Sequence, residues 1–127
     1  MINEKYVLIV DDEEEIVEAV VRKIYTEKGN QYVPLIAMDG YEALEFMRTK
    51  NIAVVVLDIR MRTLDGFTVC RKAMADERMK KIPIIISSGV LNDKTTGELR
   101  DLGIKHFLPK PYMIEQLFTK IDEIIAS

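Results

Sequence analysis

The chain alternates between two kinds of apolar pattern. Short apolar runs occupy residues 6–10 (YVLIV), 32–37 (YVPLIA), 53–57 (AVVVL), 82–86 (IPIII) and 104–108 (IKHFL). Most are continuous, as expected of strands covered on both faces. Between them, apolar residues recur at intervals of three and four, the period of a helix face. The first stripe is Ile16, Val17, Val20, Val21 and Ile24; the second is Ala43, Leu44 and Met47. Phe67, Cys70, Ala73 and Met74 form a third, and Ile114, Leu117, Phe118, Ile121, Ile124 and Ile125 the last. Each stripe reads as core packing. The stretch LNDKTTGELRDLG at 91–103 offers only Leu91, Leu99 and Leu102, with Thr95, Thr96 and Gly97 among them. Those three are poor helix formers, so the fourth helix is expected to be weak and a candidate for movement. Asn92 or Asp93 is its expected N-cap.

Five strand–helix units predict an α/β fold, with a parallel five-stranded sheet, helices on both faces and right-handed crossovers. Pro34 cannot donate to a central ladder, which puts the second strand at an edge. That placement suits the flavodoxin-like doubly wound order 2-1-3-4-5, in which ligands bind beyond the carboxyl ends of the strands. The residues just after each strand therefore carry the functional information.

After the first strand stand Asp11 and Asp12, and after the third Asp58. Ser87, Ser88 and Gly89 follow the fourth, and Pro109, Lys110 and Pro111 the fifth. With strands 1 and 3 adjacent, three carboxylates converge. At about 5 Å and an effective dielectric near 20, each pair repels by about 3 kcal/mol. One Lys110 ammonium leaves a local charge near −2, which a divalent ion would neutralise. An all-oxygen ligand set favours Mg²⁺ or Mn²⁺. Asp12 could instead be an N-cap with Glu15 as its capping-box partner, but Asp11 is then a spare acid. Glu13, Glu14 and Glu15 read as first-turn acids facing the helix dipole. A metal-bound carboxylate with an ammonium and a hydroxyl nearby suits phosphoryl transfer to Asp.

Composition narrows the classes. The chain has 127 residues, 48% hydrophobic and 31% charged, consistent with one globular domain over residues 1–127. A net charge of −3 gives no electrostatic case for direct nucleic-acid or membrane binding. No apolar run approaches a membrane span, and no signal-peptide pattern opens the chain, so a cytoplasmic location is expected. Cys70, the single cysteine, sits in an apolar helical stripe and reads as a buried small hydrophobe.

At this point the residues resemble the response-regulator receiver domain of two-component signalling, over essentially the whole chain. LIVDDEE at 8–14 is similar to its acidic pair and VVLDIRM at 55–61 to its phosphoacceptor segment. PIIISSG at 83–89 and FLPKP at 107–111 are similar to its hydroxyl and lysine-proline segments. The resemblance implies that Asp58 accepts a phosphoryl group. Asp12, Asp58 and the backbone carbonyl of Arg60 would bind Mg²⁺, with Asp11 acting through water. Ser88 would hydrogen-bond the phosphoryl group, Lys110 would pair with it, and Lys110–Pro111 would be cis. Phe107 matches the aromatic that changes rotamer as Ser88 shifts. His106, the lone histidine, reads as a surface residue. Phosphorylation would then bias a surface made by the fourth helix, fifth strand and fifth helix, which is also a possible homodimer face. The implied partners are a histidine kinase or phosphotransfer protein upstream, and a downstream protein or output domain.

Two positions depart from the family pattern. Arg62 stands where proline is usual, and Arg60 occupies the variable position two after the phosphoacceptor, which tunes how long the phosphoryl group lasts. The chain ends one helix after Lys110, as in a stand-alone regulator or a receiver within a longer protein. No independent substrate turnover is expected. Rival readings are a Mg²⁺-dependent phosphohydrolase, whose usual second acid is replaced by Arg60, and a pseudo-receiver that only binds protein. A flavin protein of similar fold is disfavoured because the acids after the first strand would repel the flavin phosphate.

Overall fold

The computed structural model describes residues 5–27, 31–60 and 65–126. Five strands form one parallel sheet: β1 Tyr6–Val10, β2 Val33–Ala37, β3 Ile52–Leu57, β4 Ile84–Ser88 and β5 His106–Pro109. Five helices alternate with them: α1 Glu14–Glu27, α2 Gly40–Thr49, α3 Gly66–Met74, α4 Asp93–Leu102 and α5 Ile114–Ala126. The order is β2-β1-β3-β4-β5, with β2 at the edge where Pro34 points to it.

Strand parity divides the core in two. Leu8, Val10, Val55, Leu57, Ile84 and Ile86 face the layer of α2, α3 and α4 and meet Ala43, Met47, Cys70 and Leu99. Val7, Ile9, Val54, Val56 and Ile85 face α1 and α5 and meet Val20, Ile24, Leu117, Phe118 and Ile121. Successive side chains point to opposite faces, so a strand buried on both sides must be apolar at every position. Cys70 lies inside the first cluster, and burial pushes its thiol up to about 12, which leaves it unreactive at neutral pH.

β2 begins one residue later than its apolar run suggests, and β4 and β5 begin two residues later. Ile82 closes a 3₁₀ turn at Met79–Lys81 by donating to the Met79 carbonyl (3.0 Å), and Pro83 has no N–H. β4 therefore starts at Ile84 and runs on through both serines, pairing Ser87 with Leu108 and Ser88 with Pro109. Ile104 is likewise taken by the end of α4. Gly103 adopts φ +107° and donates to the Arg100 carbonyl (2.9 Å), while Ile104 donates to the Leu99 carbonyl (3.0 Å). This is a Schellman ending, with Leu99 and Ile104 both in the core below it. At the other end of α4, Asn92 Oδ1 accepts from Thr95 N (2.8 Å). A helix with a poor interior is thus held by both of its caps.

Candidate metal and phosphoryl site at the strand ends

The carboxyl ends of β1, β3, β4 and β5 open onto a cleft of about 710 Å³. Asp12, Asp58, Ser88 and Lys110 all line it, with Glu13, Arg60 and Tyr112 at its walls. Asp58 follows directly from β3, its N–H donating to the Val10 carbonyl (2.9 Å), which locks the end of β3 to that of β1. Its Oδ1 accepts from Arg60 N (3.1 Å), and Oδ2 lies 3.2 Å from Lys110 Nζ. Gly66 supports this turn from below: a Cβ there would sit 2.5 Å from the Asp58 carbonyl oxygen, so only glycine fits.

Asp11 and Asp58 are buried, at 6% and 5% exposure, whereas Asp12 is exposed. One oxygen from each of the three can be chosen so that all lie within 4.8 Å of one another. Asp11 Oδ1 accepts from Glu13 N (2.9 Å). Its Oδ2 sits 2.9 Å from Lys110 Nζ, a contact of charge, with no well-directed hydrogen bond to this buried oxygen. Burial pushes the Asp11 carboxyl above its ordinary range, against the opposing pull of the Glu13 N–H and Lys110. A buried acid with an incompletely satisfied oxygen, beside two more carboxylates, fits a hard divalent cation, whose charge favours the ionised forms.

Lys110 is placed by its backbone, whose N–H donates to the Ser88 carbonyl (2.9 Å) just before the cis Lys110–Pro111 bond. Its ammonium meets Glu13 Oε1 (2.8 Å) as well as Asp11 and Asp58. Burial would lower its pKa, but the Glu13, Asp11 and Asp58 carboxylates prevail and hold it above the usual lysine value. Ser88 Oγ is buried at the end of β4 and accepts from Val90 N (3.2 Å). Phe107 is half-buried on β5 against the α2–α4 core, with the Arg100 guanidinium 5.1 Å above its ring.

The structure thus brings Asp12, Asp58, Arg60, Ser88 and Lys110 to one cleft with Asp11 buried beside them, while Phe107 packs against the α2–α4 core. Arg62 lies outside the described residues. Two participants escape sequence reasoning. Glu13 reads as a helix-dipole acid, but it precedes α1 and pairs with Lys110. The signal was available in an acid one residue beyond a pair already assigned to the cleft. Tyr112 reads as nothing in particular, yet its hydroxyl shares a 3.1 Å hydrogen bond with Ser87 Oγ. Ahead of α1 it is Asp11, not the alternative N-cap Asp12, whose carboxylate takes the Glu13 N–H.

The chain is similar to known proteins in sequence and in fold. The sequence pattern of the response regulator receiver domain matches residues 7–122. Response regulator MprA of Mycobacterium leprae (strain TN) is 30% identical over 119 residues, covering 94% of this chain and 50% of that protein. MprA of Mycobacterium sp. (strain KMS) is 29% identical with the same coverage. The chain spans about half the length of these relatives. The receiver domain of Francisella response regulator 1452 superposes with a TM-score of 0.83 at 26% identity, over 95% of this chain and 96% of that one. Vibrio cholerae chemotaxis protein CheY4 superposes equally well, at 0.83 and 25% identity, over 95% and 98% of the two chains.

Proposed function

This chain belongs to the response regulator receiver domain family, and on that premise we propose that it accepts a phosphoryl group on Asp58 with Mg²⁺ or Mn²⁺ bound. The observation that carries this reading is the Lys110 ammonium, 3.2 Å from Asp58 Oδ2 and 2.9 Å from Asp11 Oδ2, in a cleft that Ser88 also lines. Asp12, Asp58 and the Arg60 carbonyl would hold the ion, with Asp11 reaching it through water. When bound, the ion offsets negative charge on the incoming phosphoryl oxygens.

An Asp58 carboxylate oxygen attacks phosphorus, and the bond from phosphorus to the donor imidazole nitrogen of a histidine kinase or phosphotransfer protein breaks. The nitrogen leaves with the electron pair. Lys110 moves its contact from the carboxylate to a phosphoryl oxygen, and Ser88 donates its hydroxyl to another. The group so formed carries about two negative charges where there was one. Drawing in Ser88 and Lys110 tugs on the ends of β4 and β5, and the surface of α4, β5 and α5 responds, with Phe107 following Ser88. That surface addresses a downstream protein or output domain, or a second copy of the chain. Residues 1–127 act as one receiver unit in the cytoplasm, with no independent substrate turnover. Among the described residues, no helix is long and apolar enough to cross a membrane.

Acetyl phosphate with Mg²⁺ tests the proposal. Wild type should gain one phosphoryl group labile to alkali and hydroxylamine, Asp58→Asn none, and amide NMR shifts should spread across residues 90–120. Equal labelling of the two proteins, or shifts confined to the cleft, would refute it.

A further inference from the structure

We propose that Tyr112 is a positioning residue for Lys110, acting through the hydroxyl–hydroxyl bond that ties it to Ser87 on β4. The inference rests on the reading of Asp58 as phosphoacceptor and concerns how the ammonium beside it is aimed.

β4 ends in two adjacent serines that point to opposite faces. Ser88 lines the cleft. Ser87 shares the parity of Ile85, which packs with α1 and α5, and it is fully buried. An otherwise isoleucine-built strand would be expected to fill that position with an apolar side chain. A buried hydroxyl there needs a partner, and Tyr112 supplies it at 3.1 Å. The Tyr112 ring packs against the α1–α5 core and walls the cleft, so its hydroxyl is the anchored end of a rigid lever.

What the lever holds is the chain on either side of Lys110. The Lys110 N–H bond to Ser88 is the last backbone tie between this segment and β4. Pro111 has no N–H, and the next fixed point is Met113, whose N–H is taken by Gln116 Oε1 (2.7 Å) ahead of α5. Between these, Tyr112 returns to β4 through its side chain. Lys110 is therefore bracketed by anchors on consecutive residues, its own N–H on Ser88 and the Tyr112 hydroxyl on Ser87. A four-carbon stem can carry an ammonium to many places. Its contact with Asp58, at 3.2 Å, is the longest of its three. The contact with Glu13, whose side chain is 56% exposed, is the shortest at 2.8 Å. Releasing the turn lets the ammonium drift outward to Glu13 and away from Asp58.

Tyr112→Phe, Ser87→Ala and the double variant test this in the full chain. Labelling of Asp58 by acetyl phosphate at saturating Mg²⁺ should fall roughly 10-fold in each, a misplacement of about 1 Å being able to cost up to about 100-fold. Mg²⁺ affinity, measured by NMR titration, should stay at the wild-type value, because no proposed ligand is altered. The double variant should match the singles. It removes both hydroxyls and leaves no unpaired buried group, so recovery of the wild-type rate would overturn the proposal, as would a parallel loss of Mg²⁺ affinity. The Lys110 Nζ resonance of the resting protein should move in Tyr112→Phe, and an unchanged resonance would also overturn it. If wild type takes no phosphoryl group at Asp58, the phosphoacceptor reading falls, while the Lys110 resonance still decides the role of Tyr112.

Discussion

Arg60 is where this site is most its own. It is exposed and lines the cleft, its backbone N–H donating to Asp58 Oδ1. A guanidinium there can contact phosphoryl oxygens or stand in the path of the attacking water. Arg60→Asn should therefore shed the phosphoryl group several-fold faster than wild type, followed as loss of label after the donor is removed. An equal or slower rate would mean that Arg60 is only a solvated surface residue. Asp58, Asp11, Ser88 and Lys110 were legible one by one, because each directly follows or closes a strand, and in sheets of this order ligands bind beyond the strand ends. Glu13 and Tyr112 were not. Glu13 meets a lysine 97 residues away, and Tyr112 matters through a hydroxyl contact with a different strand. The contact of Tyr112 leaves no local pattern, and that of Glu13 leaves only an acid next to the Asp11–Asp12 pair.

At the scale of elements, α4 shows how a helix can form against its own propensities. Asn92 satisfies its first turn, Gly103 and Ile104 satisfy its last, and Leu99 alone is fully buried. Such an element is set by its ends and tolerates change in its middle. A Cβ at Gly97 would meet nothing within 4 Å. Gly97→Ala should thus stabilise the protein by about 0.5–1 kcal/mol, the usual difference between these residues inside a helix. The urea midpoint should rise with an unchanged slope. A destabilised Gly97→Ala would show that the glycine is needed for backbone geometry. The poor helix formers inside α4 were readable as Thr95, Thr96 and Gly97, whereas its closure by Gly103 and Ile104 was not. The late starts of β4 and β5 were not, because they follow from hydrogen bonds that Ile82 and Ile104 make backwards into the preceding turns.

For the molecule as a whole, acid stability depends on which charges the fold crowds together. His106 on β5 is partly buried, and desolvation, followed by the charges of Lys120 and Lys105, holds its imidazolium below the ordinary 6.5. The unfolded chain therefore binds this proton more readily than the folded one. The stability involved is fully present above about pH 6.5 and declines as pH falls towards the folded value. His106→Gln should flatten the fall of Tm between pH 6.5 and pH 5 without changing Tm at pH 8. A slope as steep as in wild type would assign that loss to other groups.

The sequence alone determined the fold class, the five-strand order and the convergence of acids, a serine and a lysine at the carboxyl end of the sheet. Hydrophobic period sets element type, a proline excludes a strand from the centre, and polar residues at the ends of buried strands stand out against them. Only the tertiary structure decided that Glu13 joins Asp11 and Asp58 at Lys110, and that a tyrosine hydroxyl reaches back to β4. These are distances between side chains remote in sequence. They depend on how the α1 and α5 ends meet the sheet, and no local periodicity encodes that meeting.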